Sequence, residues 1–277
     1  MARHPSPPPA AQAAAGERRL LEYKTGLYEQ FARLGRALGS GPRLELLELL
    51  AQAERTVEEL ARLTGLSLAN TSQHLQVLRR ARLVEARREG FYTRYRLAGP
   101  KVYRAWQALR ELGREYAAEL ESVARAYWQN RERWDGISAT ELRRRVQKGE
   151  AIVLDVRPRE EYAAGHLPGA RSIPLGELQA RLRELPKTSP VIAYCRSPYC
   201  VLAEEAVASL RAAGRQAWRL ELGYPDWQAE GYPVEHEIDD AAGTPAKMPG
   251  KNRFPKKSKF RKSGVSNSRS LESGVRR

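Results

Sequence analysis

The sequence has 277 residues, enough for two ordinary domains of roughly 100–200 residues each. Hydrophobic residues make up 42% and charged residues 29%, a composition that supports a sizeable core and excludes a chain disordered throughout. No run approaches the ~18 consecutive apolar residues of a membrane helix, and the first sixteen residues lack the apolar segment of a secretion signal. We therefore expect a cytoplasmic protein without a membrane partner.

The formal net charge of +15 favours nucleic acid as a partner. Eleven of the 48 Lys and Arg residues lie in residues 241–277 against one acidic residue, so this tail carries +10 of the total. The tail either binds DNA nonspecifically by displacing counterions or is a solvated extension. We expect residues 1–17 and 237–277 to be disordered, because the first is rich in Pro and Ala and the second has no helical or strand period.

The first predicted domain, residues 18–133, is mostly helical. Its first helix has one apolar face, formed by Leu20, Leu27, Phe31, Leu34 and Leu38. A short helix follows Gly41-Pro42, and the capping box Thr56–Glu59 opens a third. After a turn at Gly65, a fourth helix runs from its Ser67 cap to about Arg80. Helix, glycine-containing turn and helix form the helix-turn-helix pattern.

A β-hairpin is predicted directly after this pair of helices. Residues 83–89 and 91–97 are rich in alternating β-formers and flank Gly90, which supplies the turn. Four arginines lie on the hairpin: Arg87, Arg88, Arg94 and Arg96.

A long helix is predicted to begin near Pro100. Its apolar positions are spaced 4-3-4-3-4-3-4 and form an unbroken seam of Val102, Trp106, Leu109, Gly113, Tyr116, Leu120, Val123 and Tyr127. A helix of that span is roughly 38 Å long at about 1.5 Å per residue. Such a seam must be buried, and we expect a second copy of the chain to cover it in a homodimer. The alternative is that the seam packs against its own domain.

The second predicted domain, residues 134–236, alternates strands and helices. Strands are expected at 151–156, 191–194 and 216–220, separated by helices that include 175–185 and 201–213. This alternation predicts an α/β domain whose parallel sheet is covered on both faces. The ligand site of such a sheet lies at the carboxyl ends of its strands.

Both cysteines of the chain lie within six residues at such a strand end. Two cysteines cannot form a disulfide framework, so we consider them as reactive thiols. Cys195 stands between a strand and a helix, where backbone N–H groups, the helix dipole and Arg196 all favour the thiolate. The loop Cys195–Cys200 is short enough for its N–H groups to converge on one bound atom. The alternative is a pair of inert buried thiols.

Several ordered motifs in residues 137–234 resemble a rhodanese (sulfurtransferase) domain. They are Leu154-Asp-Val-Arg157, Glu161-Tyr162, Gly165-His-Leu-Pro-Gly-Ala170, Ile173-Pro174 and the Cys195 loop. The resemblance implies that Cys195 takes up sulfane sulfur as a persulfide and that the loop residues Arg196, Ser197, Pro198, Tyr199 and Cys200 cradle it. Asp155 and Arg157 match the family's motif and are expected to support the loop or to be purely structural.

Two features of the loop refine this prediction. A cysteine phosphatase needs an arginine six residues after its nucleophile, and that position here is Val201, which favours sulfur chemistry over phosphate chemistry. Ser197 stands where rhodaneses often have glycine, and Cys200 closes the loop. A second thiol there can resolve a Cys195 persulfide or sulfenate into a disulfide or a sulfur-bridged link. The loop would then be a switch rather than a turnover site.

Residues 20–110 resemble the ArsR-type winged helix-turn-helix repressors. The resemblance is carried by Pro42-Arg-Leu-Glu-Leu-Leu47, Val57-Glu-Glu-Leu-Ala61, Gly65-Leu-Ser67, Ser72-Gln-His-Leu75, Leu78, Leu83-Val84, Tyr92 and Tyr95. It implies a double-stranded DNA operator as partner, with the hairpin arginines beside a flanking groove. The expected DNA-facing residues of the recognition helix are Ser67, Asn70, Thr71, Gln73 and His74.

Many regulators of this type sense metals through cysteine or histidine ligands. Here the first domain has no cysteine, and the four histidines of the chain are not spaced as metal ligands. We therefore expect no metal or other cofactor.

The sequence therefore predicts a homodimeric transcriptional regulator, most simply a repressor. Its rhodanese domain would carry or sense sulfane sulfur as a persulfide on Cys195, with a small sulfur donor or acceptor as a further partner. One alternative is a sulfurtransferase enzyme whose DNA-binding domain is uncoupled from it. Another is that the rhodanese domain serves only as a redox or protein-docking module. The residues do not decide whether the protein also catalyses sulfur transfer from thiosulfate or a persulfide with repeated turnover.

Overall fold

The computed structural model describes residues 9–128 and 136–237. The predicted basic tail lies outside the described residues apart from Glu237, and so does the junction at 129–135. The first helix, α1, spans Pro9–Leu38 and begins inside the segment predicted to be disordered. Its first turns read Pro-Ala-Ala-Gln-Ala-Ala-Ala, and alanine has the highest helix propensity of all residues.

The first domain is the winged helix-turn-helix fold that the sequence predicts. After α1 come α2 (Gly41–Leu50), β1 (Arg55–Thr56), α3 (Val57–Thr64), α4 (Leu68–Arg80), β2 (Val84–Glu89), β3 (Tyr92–Leu97), α5 (Pro100–Tyr116) and α6 (Ala118–Trp128). The hairpin β2–β3 forms the wing, and the unpredicted strand β1 joins it in the order β1-β3-β2. The core between α2, α3 and α4 is formed by Leu46, Leu47, Leu60, Leu75 and Leu78, none of which is exposed.

Local signals place the ends of the two helices of the motif. Thr56 Oγ1 accepts a hydrogen bond from the Glu59 amide at 3.3 Å, and Glu59 Oε2 accepts one from the Thr56 amide at 2.7 Å. This is the predicted capping box. Gly65 follows α3 with φ of +70°, a conformation that favours glycine, and Ser67 caps α4 through the Asn70 amide at 3.2 Å. The predicted helix-turn-helix is thereby confirmed.

The predicted continuous helix from Pro100 is wrong. It ends at Tyr116, because Ala117 takes an extended conformation (φ −104°, ψ 93°), and a separate helix follows. A Cβ on Gly113 would lie 3.1 Å from Leu120 Cδ1, so the missing side chain allows α6 to pack against α5. Four of the eight seam residues, Leu109, Tyr116, Val123 and Tyr127, are 39% to 75% exposed, and the apolar spacing could not show whether the backbone along the seam is continuous.

The second domain is an α/β fold around a five-stranded, fully parallel sheet of order β4-β8-β7-β5-β6. Its elements are β4 (Gly136–Ile137), α7 (Ala139–Gln147), β5 (Ile152–Asp155), α8 (Arg159–Ala164), β6 (Arg171–Ser172), α9 (Leu175–Arg181), β7 (Val191–Tyr194), α10 (Val201–Ala212), β8 (Ala217–Leu220) and α11 (Tyr224–Ala229). The edge strands β4 and β6 have two residues each, too few for a period, and were not predicted. Separate apolar clusters cover the two faces of the sheet, as expected.

Candidate functional site

The two cysteines lie on the loop Cys195–Cys200, which we call the sulfur loop. Cys195 follows the last residue of the central strand β7, at the carboxyl edge of the sheet, and Cys200 is the N-cap of α10. Both thiols are free. The structure therefore brings the predicted cysteine pair to the strand end and helix start that the sequence indicated.

Cys195 is buried, with only 2% of its surface exposed. Its thiol donates a hydrogen bond to the Cys200 carbonyl oxygen at 3.4 Å. Burial raises the pKa of this thiol well above its ordinary value, although backbone hydrogen bonds from Ala203 and Ser197 act in the opposite direction. The predicted preference for a Cys195 thiolate is therefore wrong, because the loss of hydration outweighs the helix terminus and the backbone N–H groups.

The pKa of Cys200 is shifted in the direction opposite to that of Cys195. A hydrogen bond from Cys195 is the main cause that lowers the pKa of the Cys200 thiol to about 7, and backbone hydrogen bonds from Arg196 and Leu202 add to it. Cys200 is also partly exposed, unlike its neighbour. The two thiols therefore titrate as a pair whose first negative charge rests on the more accessible sulfur.

The guanidinium of Arg196 is bound in an ionic cluster and is therefore not available to bind an anion in the loop. Its guanidinium donates to Glu161 of α8 at 3.0, 3.0 and 2.6 Å. Glu161 is completely buried and also accepts a hydrogen bond at 2.7 Å from Arg55 of β1, whose side chain is 5% exposed. Arg55 belongs to the first domain, so one carboxylate joins the sulfur loop to the strand that leads into α3.

A second buried contact runs through Gln52, between α2 and β1. Its Oε1 accepts a hydrogen bond from Arg157 at 3.0 Å, and its Nε2 donates to the Arg196 carbonyl oxygen at 3.3 Å. Arg157 is fully buried and holds Asp155 through Nη2 at 2.7 Å and the Gly165 carbonyl oxygen at the same distance. The predicted supporting pair therefore anchors the domain interface and contacts neither sulfur.

A third contact joins the loop to α5. The carboxylate of Asp226 accepts hydrogen bonds from Tyr103 at 2.9 Å and from Arg110, both on α5. The same carboxylate accepts the amide of Gly223 at 3.2 Å, next to the Tyr224 amide that donates to the Cys195 carbonyl oxygen at 3.0 Å. The sulfur loop is thus connected to α5 through the start of α11.

Gly223 packs against the backbone of the sulfur loop. A Cβ at this position would lie 2.1 Å from the Arg196 carbonyl oxygen, so only glycine fits without moving the loop.

Two clefts border the outer side of the loop at Pro198 and Tyr199. A cavity of about 640 Å³ lies between the domains and is lined by α5, α6 and the loop, including Cys200. A second cleft of about 450 Å³, lined by more polar groups such as Arg114 and Glu221, touches Pro198 and Tyr199 but neither cysteine. Both volumes fall in the range of small-molecule sites.

The recognition helix α4 presents only part of the predicted DNA-facing set. Asn70 and Gln73 are exposed and His74 is partly exposed, as the prediction requires. Ser67 uses its hydroxyl to cap the helix. Thr71 is completely buried and donates its hydroxyl to the Ser67 carbonyl oxygen at 3.0 Å, so it cannot touch DNA. Thr71 is adjacent to the exposed Asn70, but successive helix positions point in different directions, and the polarity of threonine hid that this one faces the core.

The four wing arginines are divided between the two faces of the hairpin. Arg87 and Arg94 are directly opposite each other, and Arg96 faces Glu85 across the strands. Arg94 and Arg96 pair with Glu89 and Glu85 at 2.7 and 2.8 Å, and Arg87 pairs with Glu54 at 3.6 Å. Arg88 points to the other face and is exposed. DNA must therefore compete with carboxylates for three of the four arginines.

The residues that the sequence did not predict are those of the domain interface, above all Gln52, Arg55, Tyr103, Arg110 and Asp226. They lie 100 or more positions away from their partners in the chain, so no local pattern marks them. Glu161 belongs to one of the motifs that resemble a rhodanese, but nothing in that motif indicates that its carboxylate binds Arg55 of the first domain.

Within residues 9–128 and 136–237 there is no group of three or more His, Cys, Asp and Glu side chains arranged to hold a metal ion. No helix in the described part of the chain is long and apolar enough to cross a membrane.

Two families match this chain in the order seen in the structure. Residues 41–86 match the family of bacterial regulatory proteins of the arsR type, and residues 138–230 match the rhodanese-like domain. Over 212 residues the chain is 45% identical to the HTH-type transcriptional regulator Rv0324 of Mycobacterium tuberculosis, covering 76% of this chain and 93% of the relative.

Two shorter similarities concern one domain each. A 50-residue segment, 18% of this chain, is 48% identical to 44% of the human thiosulfate:glutathione sulfurtransferase. A solution structure of a homodimeric winged helix-turn-helix domain from Mycobacterium bovis, a possible ArsR-family regulator, is 45% identical. It covers 35% of this chain and 89% of its own, with a TM-score of 0.33.

Proposed function

The chain belongs to the ArsR-type winged helix-turn-helix transcriptional regulators that carry a C-terminal rhodanese domain, and we propose that it is a repressor whose DNA affinity depends on sulfane sulfur bound at the sulfur loop. In this proposal Cys195 carries the sulfur as a persulfide and Cys200 is its resolving thiol. The partners are an operator in double-stranded DNA, a second copy of the chain and a small sulfur donor, in the cytoplasm. Asn70, Gln73, His74 and Arg88 are the proposed DNA contacts.

The observation that carries this proposal is the buried contact between the sulfur loop and the DNA-binding domain. Arg55, Glu161 and Arg196 form one ionic cluster with separations of 2.6 to 3.0 Å. Arg55 lies two residues before α3 and pairs with Tyr95 of the wing strand β3. A shift of Arg196 would therefore act on Arg55 through Glu161. Arg55 in turn contacts the wing strand β3 and leads into α3, so the shift reaches the elements that hold the recognition helix and the wing.

The chemistry of loading supplies such a change. A thiolate of the loop attacks the outer sulfur of a donor R–S–SH, the S–S bond of the donor breaks, and R–S⁻ leaves with the electron pair. Cys195 then carries –S–SH in a site that is 2% exposed. Because packed interiors have no spare room for a sulfur atom, the loop must shift. If the Cys200 thiolate next attacks the inner sulfur of this persulfide, a Cys195–Cys200 disulfide forms and HS⁻ leaves.

The dimer part of the proposal rests on the exposed apolar face of α1. Leu20, Leu27, Phe31 and Leu34 are 53%, 38%, 58% and 37% exposed, an arrangement that a monomer in water does not favour. The predicted seam is also open in part, since Leu109, Tyr116 and Val123 are 39%, 75% and 72% exposed. A homodimer is therefore proposed to form through the apolar face of α1 together with these exposed seam residues.

A second candidate function is sulfurtransferase activity without coupling to DNA. The similarity to the human thiosulfate:glutathione sulfurtransferase and the opening of the loop to a 640 Å³ cavity favour it. Steady transfer of sulfur to cyanide or a thiol at a rate unaffected by operator DNA would support this alternative.

The deciding experiment is binding of the full-length protein to its own upstream DNA, with and without polysulfide, for wild type and Cys195→Ser. Coupling between two sites is typically ~1–3 kcal/mol, so we expect polysulfide to change the wild-type dissociation constant about 5- to 150-fold. The variant should bind DNA and show no response. Equal binding by both proteins with and without polysulfide would refute the proposal and favour the enzyme.

A further inference from the structure

The interdomain cavity of about 640 Å³ has a thiol of the sulfur loop in its lining. Its apolar wall is built by Trp106 of α5, Leu120 and Val123 of α6, and Pro198 and Tyr199 of the loop. Cys200 completes the lining, whereas Cys195 is 2% exposed and belongs to neither cleft. A donor that enters the cavity therefore meets Cys200 before Cys195.

The charged groups of the cavity are unfavourable for an anionic donor. Three carboxylates contribute to the lining, Glu48, Glu119 and Glu204, against one guanidinium, Arg110, and Glu204 is paired with Arg219 at 2.6 Å. Arg110 is already bound to the buried carboxylate of Asp226. A site of this charge repels thiosulfate and other anions and accepts uncharged, apolar molecules.

We propose that the interdomain cavity binds the apolar body of a small, uncharged organic persulfide, and that Cys200 takes up its outer sulfur and passes it inward to Cys195. The inference rests on the function proposed above, since it names the donor class and the route by which Cys195 is loaded.

The relay balances without an added oxidant or reductant. The Cys200 thiolate attacks the outer sulfur of R–S–SH, the donor S–S bond breaks, and R–S⁻ leaves while Cys200 holds –S–SH. Cys195 then loses its proton, which neutralises R–S⁻, and attacks the same outer sulfur. The Cys200 thiolate departs unchanged, and the products are R–SH and the Cys195 persulfide.

The ionisation of the two thiols supports this order. The pKa of Cys200 is lowered to about 7 by the hydrogen bond from Cys195, whereas burial raises the pKa of Cys195. A thiol whose pKa is near ambient pH is the most effective attacking group in thiol–disulfide exchange. Cys195, in contrast, attacks only a sulfur that has already been brought into contact with it.

The order of loading is testable with the full-length protein and benzyl hydropersulfide as the uncharged probe. After rapid quenching by alkylation, trypsin cleaves after Arg196 and places the two cysteines on different peptides for mass spectrometry. In the wild type, sulfur is expected on Cys200 first and on Cys195 later. Cys195→Ser should hold the sulfur on Cys200, and Cys200→Ser should load Cys195 at least about tenfold more slowly. Both the raised pKa of Cys195 and its burial contribute to that difference.

The cavity itself is tested by adding a positive charge to its wall. Val123→Arg should slow loading by benzyl hydropersulfide and speed loading by the anionic glutathione hydropersulfide. Ala126→Arg adds the same charge to an exposed position of the same helix that does not line the cavity, and it should change neither rate. Equal effects of the two variants would overturn the assignment of the cavity.

The remaining outcomes separate the relay from the function on which it rests. If Cys200→Ser, shown by circular dichroism and DNA binding to be folded, loads Cys195 as fast as the wild type, the relay is overturned and the sulfur-responsive regulator stands. If neither cysteine of the wild type takes sulfur from either donor, the regulator proposal fails together with the relay.

Discussion

The Arg55–Glu161 ion pair provides the sharpest mutational test of communication between the domains. The two groups are 2.7 Å apart and buried, at 5% and 0% exposure of their side chains. Arg55→Met removes the contact from the DNA-binding side and leaves a side chain suited to a buried site. Glu161 keeps its three hydrogen bonds to Arg196, so no isolated charge remains in the interior.

The size of the effect follows from these contacts. A hydrogen bond between charged groups contributes about 1.5–3 kcal/mol. Arg55 Nε is buried without a hydrogen-bond partner among the described residues, and the substitution relieves that cost. We therefore expect Arg55→Met to lower the free energy of unfolding by about 1–3 kcal/mol, leaving the protein folded.

The functional effect should be of similar size, a loss of about 1–3 kcal/mol of coupling between sulfur loading and DNA binding. In Arg55→Met the change in DNA affinity on sulfur loading, measured by fluorescence anisotropy, should fall from the range of about 5- to 150-fold to near unity. The matched control is Arg159→Met, which removes an exposed ion pair to Glu177 at 2.6 Å within the second domain and should leave the sulfur response intact. A full sulfur response in Arg55→Met would refute this route of coupling.

Three further predictions concern the loop and the tail. Alkylation of Cys200 should titrate near the wild-type pKa of about 7 in Cys195→Ser, which keeps a hydrogen-bond donor, and nearer to about 8.5 in Cys195→Ala; equal profiles would contradict the hydrogen bond as cause. Gly223→Ala should displace the Arg196 carbonyl, lower stability by about 1–3 kcal/mol in thermal unfolding and impair sulfur loading, whereas unchanged loading would show that the loop tolerates the shift. Deleting residues 241–277 should weaken nonspecific DNA binding and flatten its salt dependence, and an unchanged slope would assign the tail no role in DNA binding.

Local sequence signals predicted most of the fold. The capping box at Thr56, the αL glycine at Gly65 and the cap at Ser67 each depend on residues within three positions, and all three are present in the structure. The same holds for the place of Cys195, which follows from a buried strand and a helix start. Such features are predictable because their partners are close in the chain.

The ionisation of the site was not predictable from the sequence. The thiolate preference of Cys195 was inferred from its place at a helix start, but its burial comes from an apolar cluster that includes Leu154 and Leu178, which are distant in sequence. In the same way, Glu161 reads as part of a rhodanese motif, and only the tertiary structure shows that Arg55 neutralises it. Desolvation and long-range ion pairs arise only when distant segments of the chain have packed together.

The central claim, that sulfur at the loop and DNA at the winged helix-turn-helix influence each other, is tested most directly by reciprocity. The measurement is the ratio of persulfide to thiol donor at which half of Cys195 is loaded, with and without saturating operator DNA. Linkage requires DNA to shift this ratio by the same factor by which loading changes DNA affinity, about 5- to 150-fold. An identical loading ratio with and without bound DNA would contradict the account and leave the two domains independent.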